Sequence, residues 1–167
     1  MANALIPLFE HNLWANLQLL EACSVLTEAQ IALTIDGVYG TPATTFVHYL
    51  SGEQRYIFRL TGEERPAPLR TGDPWPGVEA LADHARWSGL KLQGLAESVA
   101  PKQVIRQHFD DADWDIDGEV VLVQAINHST EHRAHIVTTL SARGIALPEI
   151  DGWNWAEATG RMRQAGG

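Results

Sequence analysis

Apolar residues recur at steps of three and four along most of the chain, and this spacing limits the fold more than any other feature. The first segment carries the repeat at Leu5, Leu8, Phe9, Leu13, Leu17 and Leu20. On an α-helix these residues share one face, so the segment predicts an amphipathic helix that fades between Cys23 and Leu26. Near its end, Cys23 is expected to be a small packed residue rather than a nucleophile.

A second helical segment has clear ends. Thr41 stands in the N-cap position, Pro42 in the first helical position, and Gly62 followed by Pro66 marks the far end. Its apolar stripe consists of Phe46, Val47, Leu50, Ile57 and Leu60. The Pro- and Gly-containing stretch 66–76 predicts a loop.

Two further helices follow. Pro76 can open the third, which Pro101 would stop, and the fourth is predicted from near Gly118 to Gly144. The stripe of the third helix is Val78, Leu81, Ala85, Leu92, Leu95 and Val99. A weaker pattern predicts a short terminal helix at 153–162. Four amphipathic helices without a convincing strand pattern predict an all-α four-helix bundle, in which facing helices can pool side chains into an interior metal site.

Size and charge narrow the setting. A chain of 167 residues fits a single domain over 1–167 that can bury a core without disulfides, and Cys23 has no partner for one. The sequence shows no signal-peptide pattern and no apolar run of about 20 residues, so we expect a cytoplasmic protein that does not enter membranes. A net charge of -9 would repel phosphates and argues against nucleic acid as a partner.

The most chemically specific motif lies in the fourth helix, where His128 and His132 stand four residues apart. On a helix this spacing stacks both imidazoles on one face, close enough to hold one cation, with His135 on the same face. A helix that merely carries several histidines is the alternative. A metalloprotease is disfavoured, because Ser129 occupies the place of the glutamate that such enzymes carry after the first histidine.

A metal centre of this kind commonly has three protein ligands, so a third donor is needed. The candidates are His11, His48, His84, His108 and His135. His135 lies one turn beyond His132, and three ligands in a row along one helix converge poorly on an ion. His11 and His84 are expected to be ordinary surface or boundary histidines, and His108 to lie in a polar loop.

The helical position of His48 leaves two interpretations open. It shares a face with Ser51, Gly52 and Arg55, opposite the apolar stripe, which predicts a histidine that faces solvent. The small residues Ser51 and Gly52 would, however, let another helix or a substrate pocket approach that side closely.

Three motifs resemble one known family. The run 45–62 around His48 resembles the second helix of the DinB-like (DinB/YfiT-like) four-helix-bundle metalloproteins, which are unrelated to the DNA polymerase of that name. The run 127–136, with an Asn-His pair followed by His-Arg and Ile, resembles the fourth helix of that family, and 12–16 is similar to its first-helix signature. The resemblance implies a metal site between the helices, with His48, His128 and His132 as its ligands.

This sequence departs from the family at the wall of the implied site. The family often has Gly-Gln where this chain has Ala134 and His135, and often has histidine at the positions of Gln124 and Glu131. None of these departures removes a matched ligand, but they leave the substrate open.

The resemblance also implies a function. Imidazole ligands suit zinc, nickel or iron, and the family includes thiol-dependent S-transferases that use bacillithiol or mycothiol. The chain is therefore expected to be a divalent-metal-dependent transferase in stress response or detoxification, with a small thiol and an electrophile as partners, and a homodimer. A metal-dependent hydrolase and a non-catalytic, metal-binding dimeric stress protein are the alternatives.

No catalytic residue can be assigned from the sequence. Glu53 and Glu131 lie near the implied ligands, and each is expected to support them or to lie at the surface rather than to shuttle protons. Arg133 is expected to orient a carboxylate or to support a neighbouring helix.

One acidic segment imitates a calcium loop. Asp113, Asp115, Asp117 and Gly118 match its first half, but Gln124 stands where the bidentate glutamate is needed. We therefore expect a solvated linker whose last acidic residues favour the start of the fourth helix. Trp114 would anchor this linker to the bundle.

Overall fold

The computed structural model describes residues 5–98 and 103–165, which fold into a four-helix bundle with a small hairpin. In chain order the elements are α1 (Leu5–Cys23), α2 (Glu28–Ile31), α3 (Pro42–Thr61), α4 (Val78–Ser98), β1 (Val104–Phe109), β2 (Ala112–Asp117), α5 (Gly118–Ser141) and α6 (Gly152–Ala158). The predicted all-α architecture is confirmed. None of the described helices is both long and apolar enough to cross a membrane.

Each long helix packs against two neighbours. α1 and α3 each contact both α4 and α5, so the helices follow one another around the bundle in the order α1, α4, α3, α5. α3 and α5 are among the closely packed pairs, and these two helices carry the candidate ligands.

The ends of α3 follow the predicted signals. The Thr41 and Thr44 side chains each accept a hydrogen bond from the backbone N–H of the other, which forms a capping box before Pro42. At the other end Gly62 takes a left-handed conformation with φ of 73°, which glycine adopts without strain. These caps fix where the helix that carries His48 begins and ends.

The core consists of two apolar clusters separated by a polar layer. One cluster includes Leu19, Leu20, Phe46, Leu50, Leu81, Ile136 and Leu140, and the other includes Phe9, Ile57, Leu60, Leu92, Leu122 and Ala125. Buried polar side chains stand between them on all four long helices: Asn12, Asn16, Glu53, Ser88, Ser129 and Arg133. A buried polar group is costly unless it is hydrogen-bonded, so this layer places strict demands on the register of the helices.

The predicted acidic linker is wrong, because residues 104–117 form an antiparallel hairpin. Its turn places Asp110 and Asp111 at positive φ, a conformation that aspartate tolerates better than most residues. Ile105 is buried and lies opposite the half-buried Ile116. Trp114 stacks on Phe109 within the hairpin and is half exposed, so it does not anchor a linker to the bundle.

Smaller differences lie at helix ends. α4 begins after Pro76 and Gly77, because Gly77 has a φ of 93° that no α-helix contains. α5 ends at Ser141, and Gly144, with φ of 75°, lies in the turn beyond it. The terminal helix is present but ends at Ala158. The predicted end of the third helix at Val99 and Pro101 lies outside the described residues.

Candidate metal centre

Three histidines meet where α3 packs against α5. His48 comes from α3, and His128 and His132 lie one turn apart on α5. One ring nitrogen of each lies within 4.8 Å of the others, and this is the group of potential metal ligands found in the described part of the chain. The Nε2 atoms of His48 and His128 are 3.0 Å apart. The structure thus brings together the three residues that the family resemblance implied, and metal binding by them stays a prediction.

Gly52 lets the two helices approach closely at this point. A Cβ atom on Gly52 would lie 2.8 Å from Cε1 and 3.0 Å from Nδ1 of His128, shorter than ordinary van der Waals contact. The imidazole therefore packs directly on the backbone of α3. This is the close approach that the small residues beside His48 suggested. His48 does not face solvent alone, because its Nε2 atom faces His128 on α5.

Tyr39 covers the centre from the loop before α3. Its hydroxyl lies 2.8 Å from Nδ1 of His48, and its ring stacks on that imidazole with 4.1 Å between the centroids. When Nδ1–H of His48 donates to the tyrosine oxygen, the lone pair of Nε2 is free and faces His128. Sequence reasoning missed Tyr39, because an aromatic residue in a glycine-containing loop carries no motif.

Burial keeps the three imidazoles neutral. It lowers the pKa of His128 and of His132 to about 4, with their neighbouring histidines adding to the effect. Burial followed by the positive charge of Arg55 also lowers the pKa of His48. All three are therefore neutral at pH 7, and neutral imidazole is the form that binds a metal.

The donor set fits a divalent transition metal. Two imidazoles that hold zinc tetrahedrally at about 2.0–2.1 Å place their nitrogens about 3.3 Å apart, near the 3.0 Å between His48 and His128. The Nδ1 atoms of His128, His132 and His135 are all buried without a hydrogen-bond partner among the described residues, so this property does not distinguish the three candidate ligands from His135. Three nitrogen donors suit zinc, nickel or iron and do not select among them.

A buried carboxylate lies in the polar layer next to the histidines. Oε1 of Glu53 accepts hydrogen bonds from Asn12 (2.8 Å), Asn16 (3.1 Å) and Ser129 (3.0 Å), and its other oxygen accepts one from Ser88. Glu53 is fully buried and both of its oxygens accept hydrogen bonds, so it ties α3 to the other three long helices and supports the bundle. Glu131 is exposed.

Arg133 belongs to the same layer. Its Nη1 atom donates to the side-chain oxygens of Asn12 (2.6 Å) and Asn16 (2.7 Å), and Nη2 donates to Thr130. Each asparagine therefore connects the buried guanidinium to Glu53. Its side-chain oxygen accepts a hydrogen bond from Arg133, and its side-chain N–H donates one to Glu53. Arg133 thus orients the Glu53 carboxylate indirectly, through the two asparagines. The linking role of Asn12 and Asn16 was not predicted from the sequence.

The remaining histidines do not belong to the group of three. The prediction for His84 is wrong: it is 2% exposed, and its Nε2–H donates to the Leu50 carbonyl at 3.1 Å, which offsets the cost of burying the ring. His11 is half-buried and bonds to the Ile150 carbonyl, as a boundary residue would. His108 lies in β1 rather than in a loop and pairs with Asp113. His135 packs beside His132 but outside the three-histidine group.

Two other predicted features have structural rather than chemical roles. Cys23 is buried, and burial raises the pKa of its thiol to about 12, so it is packed and unreactive as expected. In the segment that imitates a calcium loop, Asp113 pairs with His108 and Asp115 with Arg106 across the hairpin. These carboxylates face their cross-strand partners instead of one ion.

Two open cavities are lined by other parts of the chain. One, of about 680 Å³, lies between α1 and α4, and the other, of about 580 Å³, is lined by α5 and the segment 147–151. Neither is lined by any of the three histidines, so the donor chemistry and not cavity size identifies the candidate site.

Comparison with known proteins agrees with this architecture. The family model described as the DinB family matches residues 1–165. The crystal structure of a DinB-like protein from Bacillus cereus superposes with a TM-score of 0.62 over 84% of this chain and 91% of that chain, at 16% sequence identity. At that identity the similarity shows the fold. No curated protein sequence matches the chain significantly. The motifs, the bundle and the family match together show that the chain belongs to the DinB family.

Proposed function

We propose that this protein is a divalent-metal-dependent enzyme that transfers a low-molecular-weight thiol to an electrophile. The observation that carries the proposal is the convergence of three neutral imidazoles, His48, His128 and His132, at the α3–α5 contact. The chain would hold zinc, nickel or iron there. A role in stress response or detoxification in the cytoplasm, and assembly as a homodimer, belong to the proposal through the family resemblance.

Three neutral ligands leave the charge of an ion uncompensated by the protein and leave positions for water or substrate. A bound ion would supply acidity, so that a thiol is present as its thiolate at neutral pH. In the overall reaction the thiolate sulfur forms a bond to the electrophilic carbon, and the leaving group departs with its electron pair. The thiol proton passes to solvent.

The surrounding residues support this chemistry by holding the donors in place. Tyr39 fixes the ring of His48 by a hydrogen bond and by stacking. Gly52 admits the ring of His128, and Ser129 ties the neighbouring backbone of α5 to Glu53 on α3. Donors positioned before the metal arrives need little reorganisation when it binds.

The test is conjugation of physiological thiols to a chromogenic electrophile such as 1-chloro-2,4-dinitrobenzene. Metal-loaded protein should accelerate the reaction with at least one thiol, and His128→Ala should abolish the acceleration. His108→Ala, which removes an exposed histidine from the hairpin, is the matched control and should retain it. Failure with every thiol of a bacillithiol, mycothiol and glutathione panel would refute the proposal.

The same preparation separates the alternatives. A hydrolase would cleave activated esters in a metal-dependent way without thiol. A non-catalytic site closed to exogenous ligands would bind neither azide nor imidazole, whereas an enzyme should bind them reversibly.

A further inference from the structure

A cationic side chain stands beside the three histidines without a carboxylate partner. Arg55 lies on α3 two turns after His48 and is exposed. In the described part of the chain it takes part in no ion pair, although the protein carries 21 acidic and only 12 basic residues. The lack of an ion pair does not by itself distinguish Arg55, because other described arginines, such as Arg59 and Arg70, have none either. What distinguishes Arg55 is its place beside the histidines, where an unpaired guanidinium is available to a ligand.

Arg55 is also held in place. Its Nη1 atom donates to Thr71 Oγ1 at 3.1 Å, and Thr71 in turn bonds to Ser51 Oγ at 2.9 Å. Ser51 lies one turn before Arg55 on α3. Thr71, in the loop between α3 and α4, is therefore hydrogen-bonded to two residues of the same helix face. A guanidinium restrained in this way loses less conformational entropy when it binds than a free one.

The position of Arg55 is close to the metal centre. It follows Gly52 by three residues on the same helical face, and the imidazole of His128 packs on Gly52. After burial and the neighbouring histidines, the charge of Arg55 contributes to lowering the pKa of His128, as it does for His48. The exposed carboxylate of Glu131 opposes the burial that lowers the pKa of His132. The positive charge of Arg55 and the negative charge of Glu131 therefore lie beside different histidines of the centre.

We infer that Arg55 binds an anionic group of the substrate, so that the site takes a small thiol bearing a carboxylate or a similar oxyanion. This inference rests on the proposed function, because it requires that the metal accept an exogenous ligand. Arginine suits the task, since its planar N–H donors match a carboxylate. The anion would lie on the Arg55 side of the centre while the sulfur reaches the ion.

The test uses cobalt-substituted full-length protein and two pairs of probes. 3-Mercaptopropionate and its amide share a thiol, and imidazole-4-acetate and its amide share an imidazole, so each pair differs in the negative charge alone. Dissociation constants come from the visible absorption of cobalt. Because wild type and variants are compared on the same pair, the different intrinsic acidity of the two thiols cancels from the comparison.

Arg55→Gln should reduce the preference for the charged member about 10-fold while leaving cobalt affinity unchanged. Arg59→Gln removes the same charge one turn further along α3 and should leave the preference intact. Equal preferences in wild type and Arg55→Gln, or equal losses in both variants, would overturn the inference.

The two probe pairs separate this inference from the proposed function. If thiols bind but Arg55→Gln has no effect, the inference fails and the proposed function stands. If only the imidazoles bind, and Arg55→Gln removes the preference for the acetate, the anion site stands and thiol transfer fails. If no probe binds, both fail.

Discussion

Ser129 donates a hydrogen bond of 3.0 Å to Oε1 of Glu53, and this bond joins the residue next to His128 to the centre of α3. Glu53 itself lies five residues beyond His48. Both helices that supply candidate ligands are therefore linked through the buried polar layer. Hydrogen bonds are more directional than apolar contacts, so this link fixes the register in which the histidines meet.

Glu53→Gln should strongly destabilise the protein. The substitution removes the negative charge that compensates the buried Arg133, and it places an amide among side chains that donate hydrogen bonds. We expect a loss of about 3 kcal/mol in the free energy of unfolding, measured with urea. The exposed Glu131→Gln is the control and should change it by less than about 0.5 kcal/mol. Equal stability of the two variants would show that the polar layer does not hold the bundle.

Gly52→Ala should separate metal binding from folding. Alanine favours a helix over glycine by about 1 kcal/mol, but its Cβ would displace the His128 ring. The variant should fold and lose at least about 10-fold in zinc affinity, the scale of a displaced supporting contact.

Gly94→Ala provides the matched control for that substitution. Gly94 also lies within a helix, and a Cβ there would meet no atom within 4 Å. This variant should gain stability and keep its zinc affinity. Unchanged zinc affinity in Gly52→Ala would contradict the role assigned to the close approach at Gly52.

Tyr39→Phe should weaken metal binding without unfolding the bundle. It removes the hydrogen bond to Nδ1 of His48 but keeps most of the ring that stacks on it. Loss of such a supporting hydrogen bond typically lowers metal affinity about 10- to 100-fold. Competition with a chromogenic chelator measures the effect. A metal affinity equal to that of wild type would show that Tyr39 does not support metal binding.

His84 should make the metal-free protein less stable in acid. Burial, followed by the charge of Arg65, lowers its pKa from 6.5 to about 4. Below pH 6.5 the unfolded chain binds the proton and the folded chain does not, so stability falls as the pH drops from 6.5 toward 4. The full effect of this almost completely buried group is about 3 kcal/mol.

The comparison with His84→Gln measures that effect. Its stability difference from wild type should shrink by about 3 kcal/mol between pH 7 and pH 4, because the glutamine does not titrate. A constant difference between wild type and His84→Gln would mean that the folded protein takes up the proton on His84.

The helices were predictable because their signals are local. The apolar stripe of α3 and its caps at Thr41 and Gly62 depend on residues a few positions apart, and the structure retains them. The hairpin was not predictable in the same way. Its strands are only six residues long. The charges of Arg106 and Asp115, and those of His108 and Asp113, gain partners only when the two strands pair.

The three histidines of the candidate site could be proposed from the sequence, but the residues that hold them in place could not. The spacing of His128 and His132 places two donors on one face, whereas periodicity alone placed His48 toward solvent, and the family resemblance was needed to bring it in. The contributions of Tyr39, Asn12 and Asn16 depend on contacts between distant segments, which no local spacing encodes.

The most direct test is the metal content of tag-free protein by mass spectrometry, with His48→Ala, His128→Ala and His132→Ala measured separately beside wild type. We expect near-stoichiometric zinc, nickel or iron in wild type and its loss in each of the three variants, with folding checked by circular dichroism. Wild-type protein that contains no metal and binds neither added zinc nor added nickel would contradict the proposal that the three histidines form a metal centre.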